Sequence, residues 1–426
     1  MNILSSVRGL RWWVMGLFTL AMVLNYLSRS VLGVVAPIMM QELSISSEQY
    51  GFITGAFQLG IMLQPLCGYL LDTLGLKAGM ILAAGAWSLI TLAHIFPQGW
   101  IGFAGLRAAL GLAEGAAHPG AMKLVSEWFP ARERGIAGGI YNIGASFGAI
   151  LAPPLVAWAA YVHGWRLAFL AAGVLGLVWV LLWWRFYAPV DSHARLSAEE
   201  GAHIARGKEA HLEAIGKRAS IGSLLRRRNL WGIALPRMLA DPTWGTLSFW
   251  MPLYLVTVRH FDLTQIALFA WLPFLAADLG CLFGPVVVLR LQKWGVSLIN
   301  ARRGAFTLGA VLMTGMAFVG QVDSPYAAIA LLCLGGFAHQ TLSVTVITMA
   351  SDLFRRDEVG TAAGIAGTCG NFGVLAFSLL IGGLVDSVGY DPFFIMLGVL
   401  DLVGAALLWT LVRAPHATDG QREIVA

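Results

Sequence analysis

Apolar residues in this chain form long, nearly uninterrupted runs separated by short polar intervals, instead of the narrow stripes of helices with one wet face. A hydrocarbon layer needs about 20 apolar residues per helical crossing. By that measure twelve transmembrane helices are predicted, at about 12–36, 48–71, 78–96, 100–126, 135–160, 166–187, 229–257, 264–290, 302–321, 325–351, 359–385 and 390–412. The expected fold is an all-α polytopic membrane protein. The first run is much longer than the apolar core of a cleaved leader and no A-x-A site follows it, so it is read as the first helix.

Only the interval from Pro189 to Asn229 is both long and polar. It holds SAEE at 197–200, a capping box that predicts a short amphipathic helix. Near its end, IGSLLRRRN at 221–229 sets Ile221, Leu224 and Leu225 beside three arginines, which suits either a helix on an anionic membrane face or a solvated basic linker. The interval divides the chain into 1–188, a central loop 189–228, and 229–426. A repeat supports the division: SEWFPARERGIAGGIYNIGASFG at 126–148 aligns without a gap on SDLFRRDEVGTAAGIAGTCGNFG at 351–373. The same offset of 225 residues carries Gly164 and Phe169 onto Gly389 and Phe394. Two six-helix bundles in the same orientation, related by pseudo-symmetry about the membrane normal, are expected, with a cavity between them. The small residues of the repeated stretch suit close packing, sliding, or both.

Composition agrees, with 58% hydrophobic and 12% charged residues. The net charge of +5 does not point to nucleic acid, because basic residues fall on alternate loops. Arg8, Arg11, Lys77, Arg132, Arg134, the 195–228 segment, Arg290 to Arg303, Arg355, Arg356 and Arg413 lie on one predicted side; the other has little more than Arg166 and Arg259. The basic side is expected to be cytoplasmic, with both termini there. Four cysteines stand singly in apolar runs, without metal-ligand or disulfide spacing. No metal, cofactor or catalytic constellation is expected, and an enzyme reading lacks both a nucleophile–base motif and a nucleotide loop.

Charges inside the apolar runs carry the chemistry, since each costs about 2.5–3.5 kcal/mol near mid-membrane unless it faces a cavity or a partner. Arg29 lies deep in the first run, with Tyr26 three residues before it. In RAALGLAEGAAHPG at 107–120, the spacing puts Arg107, Glu114 and His118 on one helix face. A structural ion pair is one reading; a proton carrier, Glu114, tuned by Arg107 is the other. ALPRMLADPTWGTLSFW at 234–250 sets Arg237 and Asp241 four residues apart between Pro236 and Pro242, with Trp244 offering a ring against which a sugar can pack. Mutual neutralisation of that pair is the plainer alternative. Asn142 and Ser146, His339 and Gln340, and Asn371 are polar in apolar surroundings, suited to ligand or to helix cross-links. Asp278 and Asp401 also sit in apolar runs, but no motif includes them. In GYLLDTLGLKAG at 68–79, Asp72 and Lys77 flank a Gly75 turn, where Asp72 can face the N-terminus of a neighbouring helix and act as a gate.

This loop, the twelve runs, the two halves and the long central loop resemble the major facilitator superfamily. Within it, Arg29 together with RAALGLAE at 107–114 is similar to the anion:cation symporters, and GLRWW at 9–13, APIMMQELSIS at 36–46, SEWFPARERGIA at 126–137, WGIALPRMLADPTWGT at 231–246 and GGFAHQTLS at 335–343 resemble bacterial hexuronate transporters. The resemblance implies proton-coupled uptake of galacturonate and glucuronate across the bacterial inner membrane. It also implies a substrate arginine at Arg29, a coupling pair at Arg107 and Glu114, and partners limited to the sugar acid, protons and lipid. A functional monomer is expected. Many such symporters carry an aspartate where this chain has Ser28. That departure leaves Glu114 as the expected carrier of a single proton, which with a monoanion makes an electroneutral cycle. Symport of another sugar acid (galactonate, glucarate) and organophosphate exchange are the competing readings; the latter needs no proton site.

Overall fold

The computed structural model describes residues 8–45, 47–206, 220–261, 265 and 268–413. All regular elements among the described residues are helical. An N-terminal set comprises α1 (Leu10–Glu42), α2 (Ser47–Ile61), α3 (Gln64–Ala93), α4 (Trp100–Glu114), α5 (Ala117–Trp128), α6 (Arg134–His163) and α7 (Trp165–Phe186). The linker carries α8 (Ala198–Arg206) and α9 (Ile221–Leu225). A C-terminal set follows with α10 (Arg228–Gly245), α11 (Met251–Thr257), α12 (Leu272–Lys293), α13 (Leu298–Met313), α14 (Pro325–Leu353), α15 (Val359–Val388) and α16 (Asp391–Leu411).

Among the described residues, seven helices are singly long and apolar enough to cross a membrane. Other predicted runs are interrupted for local reasons. The run 48–71 divides into α2 and the start of α3 just ahead of Pro65, and α3 then bends at Gly75, whose φ of 76° favours glycine, before continuing as the next run. The run 100–126 divides between Glu114 and Ala117, and 229–257 passes through a π turn, Thr246–Trp250, just after Pro242. The beginning of 264–290 lies partly outside the described residues. The repeat is visible in the backbone: Gly164 and Gly389 take left-handed φ values of 81° and 74° before α7 and α16.

The outward faces are apolar. Leu170, Val174, Val178 and Leu181 of α7, and Leu275, Leu279, Leu282 and Val286 of α12, are exposed at helical spacing, a surface that suits hydrocarbon rather than water. Inside, the packing differs between the two ends of the molecule. At the end where Arg11, Glu133 and Glu358 gather, here the charged end, one apolar core runs through both sets, from Val14 and Phe18 to Phe306 and Val346. At the opposite end the cores are separate: Val31, Ile53 and Phe169 in the N-terminal set, Met251, Tyr254 and Phe394 in the C-terminal set. The two sets are joined at the charged end and parted at the other.

The linker is fastened to both. Ser197 caps α8 by accepting from the Glu200 amide at 3.1 Å, but Glu200 does not return the bond as the predicted capping box requires. Its carboxylate instead accepts from the free amides of Leu10 and Arg11 at the start of α1 (2.9 and 3.2 Å) and from the Arg11 guanidinium (2.7 Å). Arg11 also reaches Glu133 at 2.7 Å, where His203 is a second partner. Burial disfavours the charge of Glu133, but the hydrogen bonds from Arg11 and His203 outweigh it and hold the carboxyl below its usual range. In the other set Arg227 forms a two-pronged bridge to the buried Glu358 (2.6 and 3.0 Å), and Arg228 donates to the Thr410 carbonyl. Two of the three arginines of IGSLLRRRN therefore hold the linker to protein. Glu133 and Glu358 are repeat-related, and each is met by an arginine at the N-terminal end of its set's first helix.

Glycine allows the joined end to close. A Cβ on Gly68 would overlap the Gly360 carbonyl, and one on Gly139 would overlap that of Cys281. Gly68→Ala should therefore prop the charged end apart. Spin labels on opposite sets there should shift to longer distances, since overpacking costs about 1–3 kcal/mol; an unchanged distance distribution would contradict the packing described.

Candidate functional site

Arg29 projects from α1 toward α4, where Glu114 is the last residue before the break. Its Nε lies 3.2 Å from Glu114 Oε2, and Ser28 Oγ is 2.8 Å from the other carboxylate oxygen. Arg29 also donates to Asn25 Oδ1 at 3.3 Å, and its guanidinium lies 4.5 Å from the Tyr26 ring centroid and 5.1 Å from that of Phe57. The two partners differ in access: the Arg29 side chain is 26% exposed, the Glu114 side chain 0%.

This corrects the expected pairing of Arg107 with Glu114. Arg107 forms no ion pair with Glu114; its Nη2 donates to the Arg29 carbonyl at 3.3 Å, its guanidinium lies 5.7 Å from the Phe57 centroid, and its Nε has no hydrogen-bond partner. Seven residues along a helix span roughly 10.5 Å, so a shared face does not bring the two side chains into contact. Arg29 of α1 takes that place instead. His118 lies beyond the helix break and meets the Tyr141 hydroxyl at 3.3 Å.

Across the seam, Arg237 Nε and Asp241 Oδ2 are 3.1 Å apart on α10. The pair packs against Gly370 of α15, where any Cβ would overlap the Asp241 carboxylate. Trp244 is half-buried and one face of its indole is stacked on His339 (centroids 6.0 Å, 24°), with Phe274 edge-on at 5.4 Å. Three of the other predicted polar residues join the two sets: Asn142 Nδ2 donates to Gln340 Oε1 at 2.9 Å, and Gln58 Nε2 donates to Asn371 Oδ1 at 3.1 Å. Ser146 is buried with its hydroxyl unpartnered.

Nearer the charged end the contacts become ionic. Asp72 accepts from the first amides of α15, Gly360 (3.2 Å) and Thr361 (2.8 Å), and from the Thr361 hydroxyl (2.8 Å). An acid on the N-terminal end of a neighbouring helix was expected. Its cation was not. Lys123 of α5 bridges to Asp72 at 3.2 Å and donates to the Arg356 carbonyl at 2.9 Å, while half-buried Lys77 makes no ion pair or hydrogen bond among the described residues. Beside them Asp352 receives Arg134 from the N-terminal set and Arg302 from its own, both at 3.0 Å. Lys123, Arg134, Arg302 and Asp352 were not among the residues singled out from sequence. A lysine within an apolar run and an acid beside the repeated serine were the available signals.

An all-helical, multi-span fold of two sets, with buried ion pairs gathered along its seam and charged end, defines a membrane protein of the transporter kind. The Major Facilitator Superfamily model matches residues 18–301 and 294–425, and the chain belongs to that family as a multi-pass membrane protein. The hexuronate transporter of Escherichia coli (strain K12) is 44% identical over 423 residues, 99% of this chain and 98% of that one. A galacturonate transporter of Dickeya chrysanthemi is 45% identical over 328 residues, 76% of this chain and 95% of that one. Among solved structures, the human organic anion transporter MFSD10 shares the fold with a TM-score of 0.70 at 17% identity, covering 93% of this chain and 99% of that one.

Asp72→Asn should weaken closure at the charged end by about 1–3 kcal/mol, because it removes the charge facing Lys123 and the amides of α15. With Ser351→Cys as a reporter at the buried seam, alkylation should accelerate about tenfold or more in the Asp72→Asn background. An unaltered rate would show that Asp72 does not hold the seam.

Proposed function

We propose that this protein carries hexuronates, galacturonate and glucuronate, together with protons across the bacterial inner membrane by alternating access. The relatives at 44% and 45% identity support the substrate class. Twelve spans are proposed, arranged as six-helix bundles 1–188 and 229–426 around a cytoplasmic loop 189–228, with the charged end and both termini in the cytoplasm. In this assignment the present conformation is closed to the cytoplasm by the Asp72 and Asp352 clusters and open outward.

One observation carries the mechanism: a partly exposed arginine is held by a fully buried acid. Glu114 as a carboxylate occupies Arg29. Protonation of Glu114 withdraws that charge and frees Arg29 for the carboxylate of the sugar acid, to which a guanidinium can donate two parallel hydrogen bonds. Proton and substrate thus favour each other because both are read by one arginine. Arg107, on the Arg29 backbone and the Phe57 ring, keeps α4 against α1 and discourages a stranded negative charge. Tyr26 positions the guanidinium from below. Arg237 and Asp241, with the half-buried Trp244 beside them, form the opposite wall, and Asn142, Ser146, His339, Gln340 and Asn371 supply neutral hydrogen-bonding groups at the base where the bundles meet. With the substrate charge neutralised, the outer side can close and the Asp72 gate open.

Two variants test the coupling. Glu114→Gln should retain exchange of labelled galacturonate in proteoliposomes and lose accumulation driven by a pH gradient; persistent uphill uptake would remove Glu114 as the carrier. Arg29→Lys keeps the charge but not the fork, and its apparent affinity should fall about tenfold to a hundredfold, corresponding to about 1.5–3 kcal/mol for a charge-assisted hydrogen bond.

A further inference from the structure

Away from the charged end, Glu114, Asp241, Asp278 and Asp401 lie within the helix runs, and they differ in what faces them. Glu114 meets Arg29 and Asp241 meets Arg237. Asp278 of α12 and Asp401 of α16 have no cation among the described residues. Asp401 is fully buried and both its oxygens lack partners, but it lies within the C-terminal set, where it faces α10. Rigid rocking of one set against the other leaves those surroundings unchanged. Asp278 is on the seam.

The register makes this plain. The stripe of α12 that meets α6 runs outward from Pro285, against Gly135, through Cys281, whose carbonyl lies on Gly139 and whose thiol faces Asn142 at 3.8 Å, to Asp278. Opposite Asp278 on α6 is Ser146. Ser146 is 2% exposed, and neither its hydroxyl nor Asp278 Oδ1 has a satisfied hydrogen bond in this conformation. Asp278 itself is half-buried, and it stands just outside the Asn142–Gln340 link, at the outer limit of the polar contacts between the sets. The groups nearest it are neutral: Ser146 and Asn142 from α6, Thr341, which reaches the Gly280 carbonyl from α14, and the Cys281 thiol on its own helix. His339 faces Trp244 on the other side of α14.

We propose that Asp278 is a second proton-binding site of the transport cycle, in addition to Glu114. The proposal rests on the transport reading above. A carboxylate that must be covered when the outer side closes, with no cation to meet it, opposes closure as an anion and permits it once a proton has added to an oxygen to give a neutral acid. Ser146 can then accept from that acid across the seam. With the outer side closed, parting of the inner seam through the neighbouring Asn142–Gln340 link admits cytoplasmic water to the acid, and the proton is released to the cytoplasm. Coupling of this sort requires proton affinity to differ between the two states, which a group on the seam provides and one inside a rigid set does not. With protons on both Glu114 and Asp278, each monoanionic hexuronate enters with one net positive charge. The cycle is then electrogenic, contrary to the electroneutral cycle expected when Glu114 acts alone.

The test uses the full-length protein in proteoliposomes with labelled galacturonate. At equal pH inside and out, an interior-negative potential should raise accumulation by the wild type about tenfold for each ~60 mV. Asp278→Asn should keep exchange and pH-driven uptake and lose the response to potential. A wild type that accumulates on a pH gradient but ignores potential overturns the proposal, as does an Asp278→Asn protein that still responds. Absence of any galacturonate uptake by the wild type would instead count against the transport reading itself. Should Asp278→Asn fail even to exchange, Asp278→Glu decides: a retained potential response with a shifted pH profile supports a proton site, and an unshifted profile overturns it.

Discussion

A charge inside hydrocarbon persists only where another charge, a helix end or water meets it, and this constraint organises the whole seam. Arg29 remains in a membrane helix because Glu114 and two aromatic rings receive it. Lys123 remains because Asp72 and the Arg356 carbonyl receive it, and Arg134 and Arg302 remain because they share Asp352. Each is a partnership between helices. Several also join the two sets, so breaking or forming them is the same event as moving the sets.

The seam is graded along its length. At the charged end it is ionic and capped, with Asp72 on the amides of α15. Further in, neutral side chains meet, as in Asn142 with Gln340 and Gln58 with Asn371. Beyond Ser146 and Asp278 the apolar cores of the two sets are independent. Ionic contacts that capture helix ends are directional and yield in a switch-like way, whereas neutral amide links cost little to exchange for ligand or water. Such an order suits a protein that opens from either end around a polar middle.

Much of this was legible in the chain. Membrane insertion, the repeat and the basic end follow from composition, spacing and alternation, because hydrocarbon thickness and loop charge act on the sequence directly. Glu133 and Glu358 illustrate the strength of the repeat, since both bind an arginine at the N-terminal end of the first helix of their set. The helix end facing Asp72 was read, but the cation beside it was missed and the partner of Glu114 was misread. Asp72 was expected to meet a helix end alone, and Arg107 was matched to Glu114 because it shares a helix face; Lys123 and Arg29, from other helices, are the cations that meet the two acids.

The sequence by itself determined that this is a helical membrane protein built twice over, that charges such as Arg107, Glu114 and Arg237 lie inside its apolar runs, and which end is basic. It could not determine which buried charges meet. Periodicity locates a side chain around its own helix but not against the next, and ion pairing depends on atoms coming within about 4 Å. Only the side-chain reach between α1 and α4, the packing of α3 and α5 onto α15, and that of α6 along α12 decided that Arg29 takes Glu114, that Lys123 takes Asp72, and that Asp278 faces a serine instead of a cation.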